Sequence, residues 1–117
     1  PSLGWRTEVP LPIQGDRRAW DAVVIAHDGW TAIEAISRLG AVDATLRTTN
    51  QKQRDDLRIA RTVLVIADTP RNRAALRLAH ATVRAEYPLD TRSVLAALGE
   101  GKAPTASGIV LLRLRNE

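Results

Sequence analysis

Trp20-Asp21-Ala22-Val23-Val24-Ile25-Ala26-His27-Asp28-Gly29-Trp30-Thr31-Ala32-Ile33-Glu34-Ala35-Ile36 reads as two β-rich runs joined by Asp-Gly. A type I′ turn needs positive φ at both central residues, and Asp-Gly supplies it, so this stretch predicts an antiparallel hairpin. With Asp28-Gly29 as the loop, His27 faces Trp30, Ile25 faces Ala32, Val23 faces Glu34 and Asp21 faces Ile36. Opposed residues share a sheet face, and faces alternate along each strand. Asp21, Val23, Glu34 and Ile36 therefore fall on one side, with Asp21 diagonal to Glu34 at roughly 5–8 Å. Trp20, Ala22, Val24, Ile33 and Ala35 take the other side. At about 6 Å and an effective dielectric of about 20, two carboxylates repel by roughly 3 kcal/mol. A divalent cation, a basic partner or protonation of one acid must offset this. The plainest structural answers are an arginine such as Arg6 or Arg38, or exposure of Asp21 at the strand start.

Working outward, Trp5 to Ile13 alternates apolar and polar residues, with Pro10 and Pro12 marking an edge strand. Gln14-Gly15-Asp16 makes the turn into the hairpin. Beyond Gly40, Asp43 to Arg61 lacks Gly and Pro and reads as one helix. Thr62 to Ala67 is a continuous apolar run, the pattern of a central strand covered on both faces. Thr69 caps the next helix with Pro70 at its first position, and that helix runs to about Tyr87. Thr91 caps a short helix that Gly99 closes, and Ile109 to Leu114 forms a last strand. The order β-β-β-α-β-α-α-β predicts a mixed α/β sheet of about five strands, antiparallel at its N-terminal end and flanked by helices.

On the wheel of the long helix, Leu46, Gln53, Leu57 and Ala60 fall together, while Arg47, Arg54, Arg58 and Arg61 form a separate stripe. Gln53 thus lies within the apolar face, where a buried amide needs a partner: the carboxylate patch or a backbone carbonyl. Lys52 points away from that face. The arginine stripe reads as a solvated surface or, functionally, as contacts to phosphates, which fix register without reading base sequence. Arg73, Arg77 and Arg84 repeat the pattern on the next helix.

Composition narrows the classes of function. The 117 residues hold no Cys and two His, which excludes disulfides, thiol chemistry and thiolate or His-rich metal cages. No apolar run approaches about 18 residues and no signal-peptide pattern opens the chain, so cytoplasm without a membrane partner is the expectation. Met is absent, and the expectation is residues 1–117 as one domain cut from a longer protein. The net charge of +4 hides a segregation: residues 1–37 carry three basic and five acidic groups, residues 38–92 eleven basic and six acidic. An acidic end beside a basic middle is a footprint for a polyanion held near a metal, or a solvated surface with chance bias. There is no Gly-rich phosphate loop, paired-His metal motif or Ser-His-Asp set.

Taken together, these residues resemble the PD-(D/E)XK nuclease superfamily. In that fold an Asp on one strand and a Glu-x-Lys on its hairpin partner hold divalent cations, and a helix and a central strand follow. Trp20 to Val24 stands at the Asp strand and Ala32 to Ile36 at the Glu-x-Lys. The chain is also similar to the C-terminal part of bacterial proteins that join a Cro/repressor-type helix-turn-helix to such a domain, through residues 5–12, 15–23 and 63–73. This likeness covers roughly residues 5–112. It implies a restriction-endonuclease-like fold, with Asp21 and Glu34 as ligands of Mg²⁺ or Mn²⁺ and Glu8 as an accessory acid. DNA is the implied partner, reached through an upstream helix-turn-helix domain, and homodimerisation is left open.

One departure is decisive: Ile36 occupies the lysine position and can neither activate water nor stabilise charge on a phosphate. Some superfamily members recruit a group from the following helix, which makes Gln53 the candidate substitute. The leading expectation is a degenerate, non-catalytic regulatory or structural module of a DNA-associated protein. The alternatives are an active metal-dependent phosphodiesterase using Asp21, Glu34 and Gln53, and a flavodoxin-like interaction module built on Val63 to Asp68.

Overall fold

The computed structural model describes residues 3–113. Strands β1 (Gly4–Pro10), β2 (Ala19–Ala26), β3 (Gly29–Ile36), β4 (Ile59–Ala67) and β5 (Gly108–Leu112) form one sheet in that spatial order. The β1–β2 and β2–β3 pairs are antiparallel, and β3–β4 and β4–β5 are parallel. Helix α1 (Val42–Asp55) makes the first crossover; α2 (Pro70–Leu78), α3 (His80–Glu86) and α4 (Thr91–Gly99) make the second. This is the mixed α/β sheet that the sequence predicts. Its antiparallel opening overturns the flavodoxin-like alternative, which needs parallel strands from the start.

Helices cover both faces of the parallel half. Leu46 of α1 and Val83 of α3 pack with Leu64, Ile66 and Ile109 on one face, while Val94 of α4 packs with Val63 and Val110 on the other. That double cover explains why β4 is apolar without alternation. Thr69 accepts a hydrogen bond from Asn72 N with Pro70 next to it, the expected start of α2. Asn72 itself is buried: its Oδ1 accepts from Leu39 N (2.9 Å), and its Nδ2 donates to Ser37 O (3.1 Å) and Ala67 O (2.9 Å). This one amide ties the exits of β3 and β4 together.

The hairpin turn forms one residue earlier than expected. Ala26 pairs with Gly29, so His27-Asp28 is the loop, and Val23 faces Ala32 instead of Glu34. Gly29 keeps its positive φ of 131° but begins β3. Each partner moves by two residues, and because strand side chains have a period of two, no residue changes face for that reason. Trp20 does depart from the expected side, being buried with Val23 and Ala32. The alternation breaks beside Glu8, whose φ of 50° lies in the left-handed region between the Thr7–Ala22 and Val9–Trp20 pairs.

Other boundaries shift for local reasons. β1 ends at Pro10 rather than Ile13. The long helix stops at Asp55 instead of Arg61, because Asp56 leaves helical geometry (φ −122°, ψ 95°) and turns its carboxylate into the core. Leu57 is then 94% exposed, and Ile59 opens β4. The helix expected to reach Tyr87 breaks at Ala79 into α2 and α3. Asp90, not Thr91, caps α4 by accepting from Ser93 N (2.9 Å). The last strand ends at Leu112, and Leu114 lies outside the described residues.

Candidate functional site

The β2–β3 ladder runs to the Ala22–Ile33 pair. One step further, where the register brings Asp21 opposite Glu34, side chains take over from backbone. Asp21 N donates to Glu34 Oε2 (3.1 Å), and Ala35 N donates to Asp21 Oδ2 (2.7 Å). Both acids line one cleft, together with Ile36 of β3 and Thr45, Thr48 and Lys52 of α1. The expected placement of the two carboxylates on a common flank therefore holds, with the acids opposed rather than diagonal.

The group that offsets their repulsion is Lys52. Its Nζ forms an ion pair with Glu34 Oε1, donates to Ala19 O (2.6 Å) and lies 4.4 Å from the centroid of the Trp20 ring. The residue is only 8% exposed. Its methylene stem lies along apolar surface while the ammonium reaches the polar cleft, as long basic side chains do at the flank of a buried face. Burial pushes the Glu34 carboxyl up, an effect larger than the opposing pull of the hydrogen bonds from Lys52 and Asp21 N. Lys52 thus supplies a cation beside Glu34 in the cleft that Ile36 also lines.

Two expectations about α1 are corrected here. Gln53 does not approach the acids: its Oε1 accepts from Thr62 Oγ1 (2.8 Å), and its Nε2 donates to Ala60 O (3.3 Å). Lys52 does not point away. The cause is the helix end. Leu57 and Ala60 lie outside α1, so the buried face is centred on Val42, Leu46 and Thr49, which brings Lys52 to its flank. One signal for Lys52 was present: the chain holds two Lys against 15 Arg, so a lysine in the last turn of α1 stands out against the bias.

The arginine stripe also dissolves. Arg58 lies beyond α1 and binds Asp56 and Pro10 O while stacking 4.6 Å from the Trp30 ring centroid. Arg61 lies on β4, where it donates to Thr31 Oγ1 (3.0 Å). Arg47 and Arg54 stay on α1 but line a depression with Asn50 and Glu86, apart from the acid cleft. Glu8 is exposed on β1 and does not line the cleft. Among the described residues, no three His, Asp or Glu side chains gather into a metal-holding group.

The donors available in the cleft are therefore two carboxylates. That set suits an ion of the Mg²⁺ or Mn²⁺ class, which keeps several waters and is often held by one or two carboxylates. It does not suit an ion that requires a full protein cage. Comparisons with family models, with curated proteins and with solved structures find no match for the chain.

Proposed function

We propose that the chain is a nuclease-like domain of a DNA-associated protein, and that its Asp21–Glu34–Lys52 cleft acts on phosphodiesters with a divalent cation. The observation that carries this reading is the position of Lys52. The ground for expecting no catalysis was the missing lysine, and the cation beside Glu34 removes that ground. The chain order supports the same reading: an acid-bearing hairpin, then a helix, then a central parallel strand.

Asp21 and Glu34 would hold the ion, which in such sites neutralises phosphate charge and generates hydroxide at neutral pH. The Lys52 ammonium, oriented by Ala19 O and Glu34, donates hydrogen bonds into the cleft and is placed to stabilise negative charge on a phosphate oxygen.

A second reading, the non-catalytic module, has its own observation. Glu34 uses Oε1 on Lys52 and Oε2 on Asp21 N, so both of its oxygens have partners without a metal ion. Cleavage of a labelled DNA duplex with Mg²⁺ or Mn²⁺ separates the two. The nuclease reading expects metal-dependent products that fall at least about a hundredfold in Asp21→Asn, Glu34→Gln and Lys52→Met. An absence of products and of calorimetric Mn²⁺ binding refutes it and leaves the regulatory module.

A further inference from the structure

Arg73, Arg77 and Arg84 play no part in the acid cleft. With His80 they rim a separate groove of about 380 Å³ between α2, α3 and β5, two strands away from β3. Its floor is apolar, formed by Leu76, Val83, Tyr87, Ile109 and Leu111. Ala79 separates α2 from α3, and the arginines of both segments line one opening. This volume lies within the roughly 300–1,000 Å³ of small-molecule sites, which are mostly apolar with a few orienting polar groups.

The charges around the opening are unbalanced. Arg73 is paired with Asp68. Among the described residues, Arg77 and Arg84 form no ion pair. The one acid lining the groove, Asp90, already accepts from Ser93 N as the cap of α4. Two guanidinium groups with no ion-pair partner among the described residues, and the single carboxylate of Asp90, thus stand around an apolar floor. A bare phosphate or a nucleic-acid backbone would satisfy the arginines but leave Leu76, Ile109 and Leu111 wet. A neutral apolar molecule would do the reverse.

We propose that this groove binds a small amphipathic organic anion, with its apolar body against Leu76, Val83, Ile109 and Leu111 and its carboxylate on Arg77 and Arg84. The proposal is independent of the phosphodiester reading, since no residue is shared between the two sites. Planar guanidinium forks favour carboxylates through paired, charge-assisted hydrogen bonds.

The test is titration of the ¹⁵N-labelled chain with 2-naphthoate and with its neutral counterpart 2-naphthylmethanol, followed by amide chemical shifts and calorimetry. The expected result is saturable naphthoate binding, with the largest shifts in α2, α3 and β5. The alcohol should bind at least about tenfold more weakly, and the double variant Arg77→Gln with Arg84→Gln should lose a similar factor for naphthoate only. Because both arginines are exposed, the double variant should keep the wild-type spectrum elsewhere. Three results each overturn the proposal: no saturation, equal binding of acid and alcohol, or shifts confined to the Asp21–Glu34 cleft. So does a groove whose shifts follow protein concentration instead of ligand, which would assign it to a second copy of the chain.

Discussion

Replacing Asp56 with Ala should be among the most damaging single changes in the chain, although nothing about Asp55-Asp56 in sequence singles out either residue. The Asp56 carboxylate is fully buried and accepts four hydrogen bonds: from Trp20 Nε1 (3.0 Å), Arg58 N (3.1 Å), Arg58 Nε (2.9 Å) and Arg58 Nη2 (2.8 Å). Trp20 is itself fully buried, so its indole N–H loses its partner with no water to replace it, at a cost of about 1–3 kcal/mol. The Arg58 side chain is 34% exposed, so water recovers part of its loss and about 1 kcal/mol remains. The sum is near 3 kcal/mol, toward the lower end for breaking a buried pair. Unfolding entropy of about 2.1 cal/mol/K per residue over 117 residues converts this to a fall in Tm of about 12 °C.

Urea and thermal unfolding followed by circular dichroism measure both quantities. Asp56→Asn keeps an acceptor for Trp20 and should lose roughly half as much. The pH dependence carries a sign. Burial raises the Asp56 carboxyl, but the hydrogen bonds from Arg58 and Trp20 outweigh it and hold the group below its ordinary value of 3.8. A depressed folded value stabilises the fold above the unfolded value, and that contribution vanishes as pH falls through the folded one. The stability gap between wild type and Asp56→Asn should therefore be full at neutral pH and shrink on acidification below about 3.8. A loss under about 1 kcal/mol in Asp56→Ala refutes the claim that this carboxylate holds the α1–β4 junction.

Asn72→Ala removes the clamp between β3 and β4 and takes a hydrogen bond from Leu39 N, Ser37 O and Ala67 O, the last of which still accepts from Thr69 N; it should cost about 3 kcal/mol in urea unfolding. Leu57→Glu should change stability by less than about 0.5 kcal/mol, since the side chain is 94% exposed; a helix continuing to Arg61 with Leu57 in its apolar face would lose several times that in the same assay. Lys52→Met leaves Glu34, whose side chain is 14% exposed, without its cation and should cost about 2 kcal/mol. Ile36 lines the same cleft, so Ile36→Lys combined with Lys52→Met should recover part of that loss and part of any metal-dependent cleavage. Equal stability of the single and double variants in thermal unfolding would show that position 36 cannot reach Glu34.

The hairpin and the sheet were legible because they rest on local chemistry: an Asp-Gly turn, a period of two, and a run of Val, Leu and Ile that only a doubly covered strand tolerates. A wrong loop residue did no harm to the acid pair, because a slip of two preserves the face of every side chain. The helix was less legible. The stop at Asp55 combines a local contact with a distant one: Asp56 accepts from Arg58 N (3.1 Å), a side-chain turn that competes with the helix. It also accepts from the indole N–H of Trp20, 36 positions away in sequence.

Where α1 ends decides the chemistry of the cleft. With Leu57 and Ala60 counted in the helix, the apolar face turns toward Gln53; without them it turns toward Thr49, and Lys52 reaches the acids. The same Trp20 accepts the Lys52 ammonium over its ring and anchors the residue that ends the helix. One buried indole thus takes part both in the end of α1 and in the placement of its lysine. The cation beside Glu34 comes from a helix and not from position 36 of the strand. The charge beside Glu34 is consequently a property of the α1–β2 packing, and no inspection of residues 32–36 alone can reveal whether the site holds a cation.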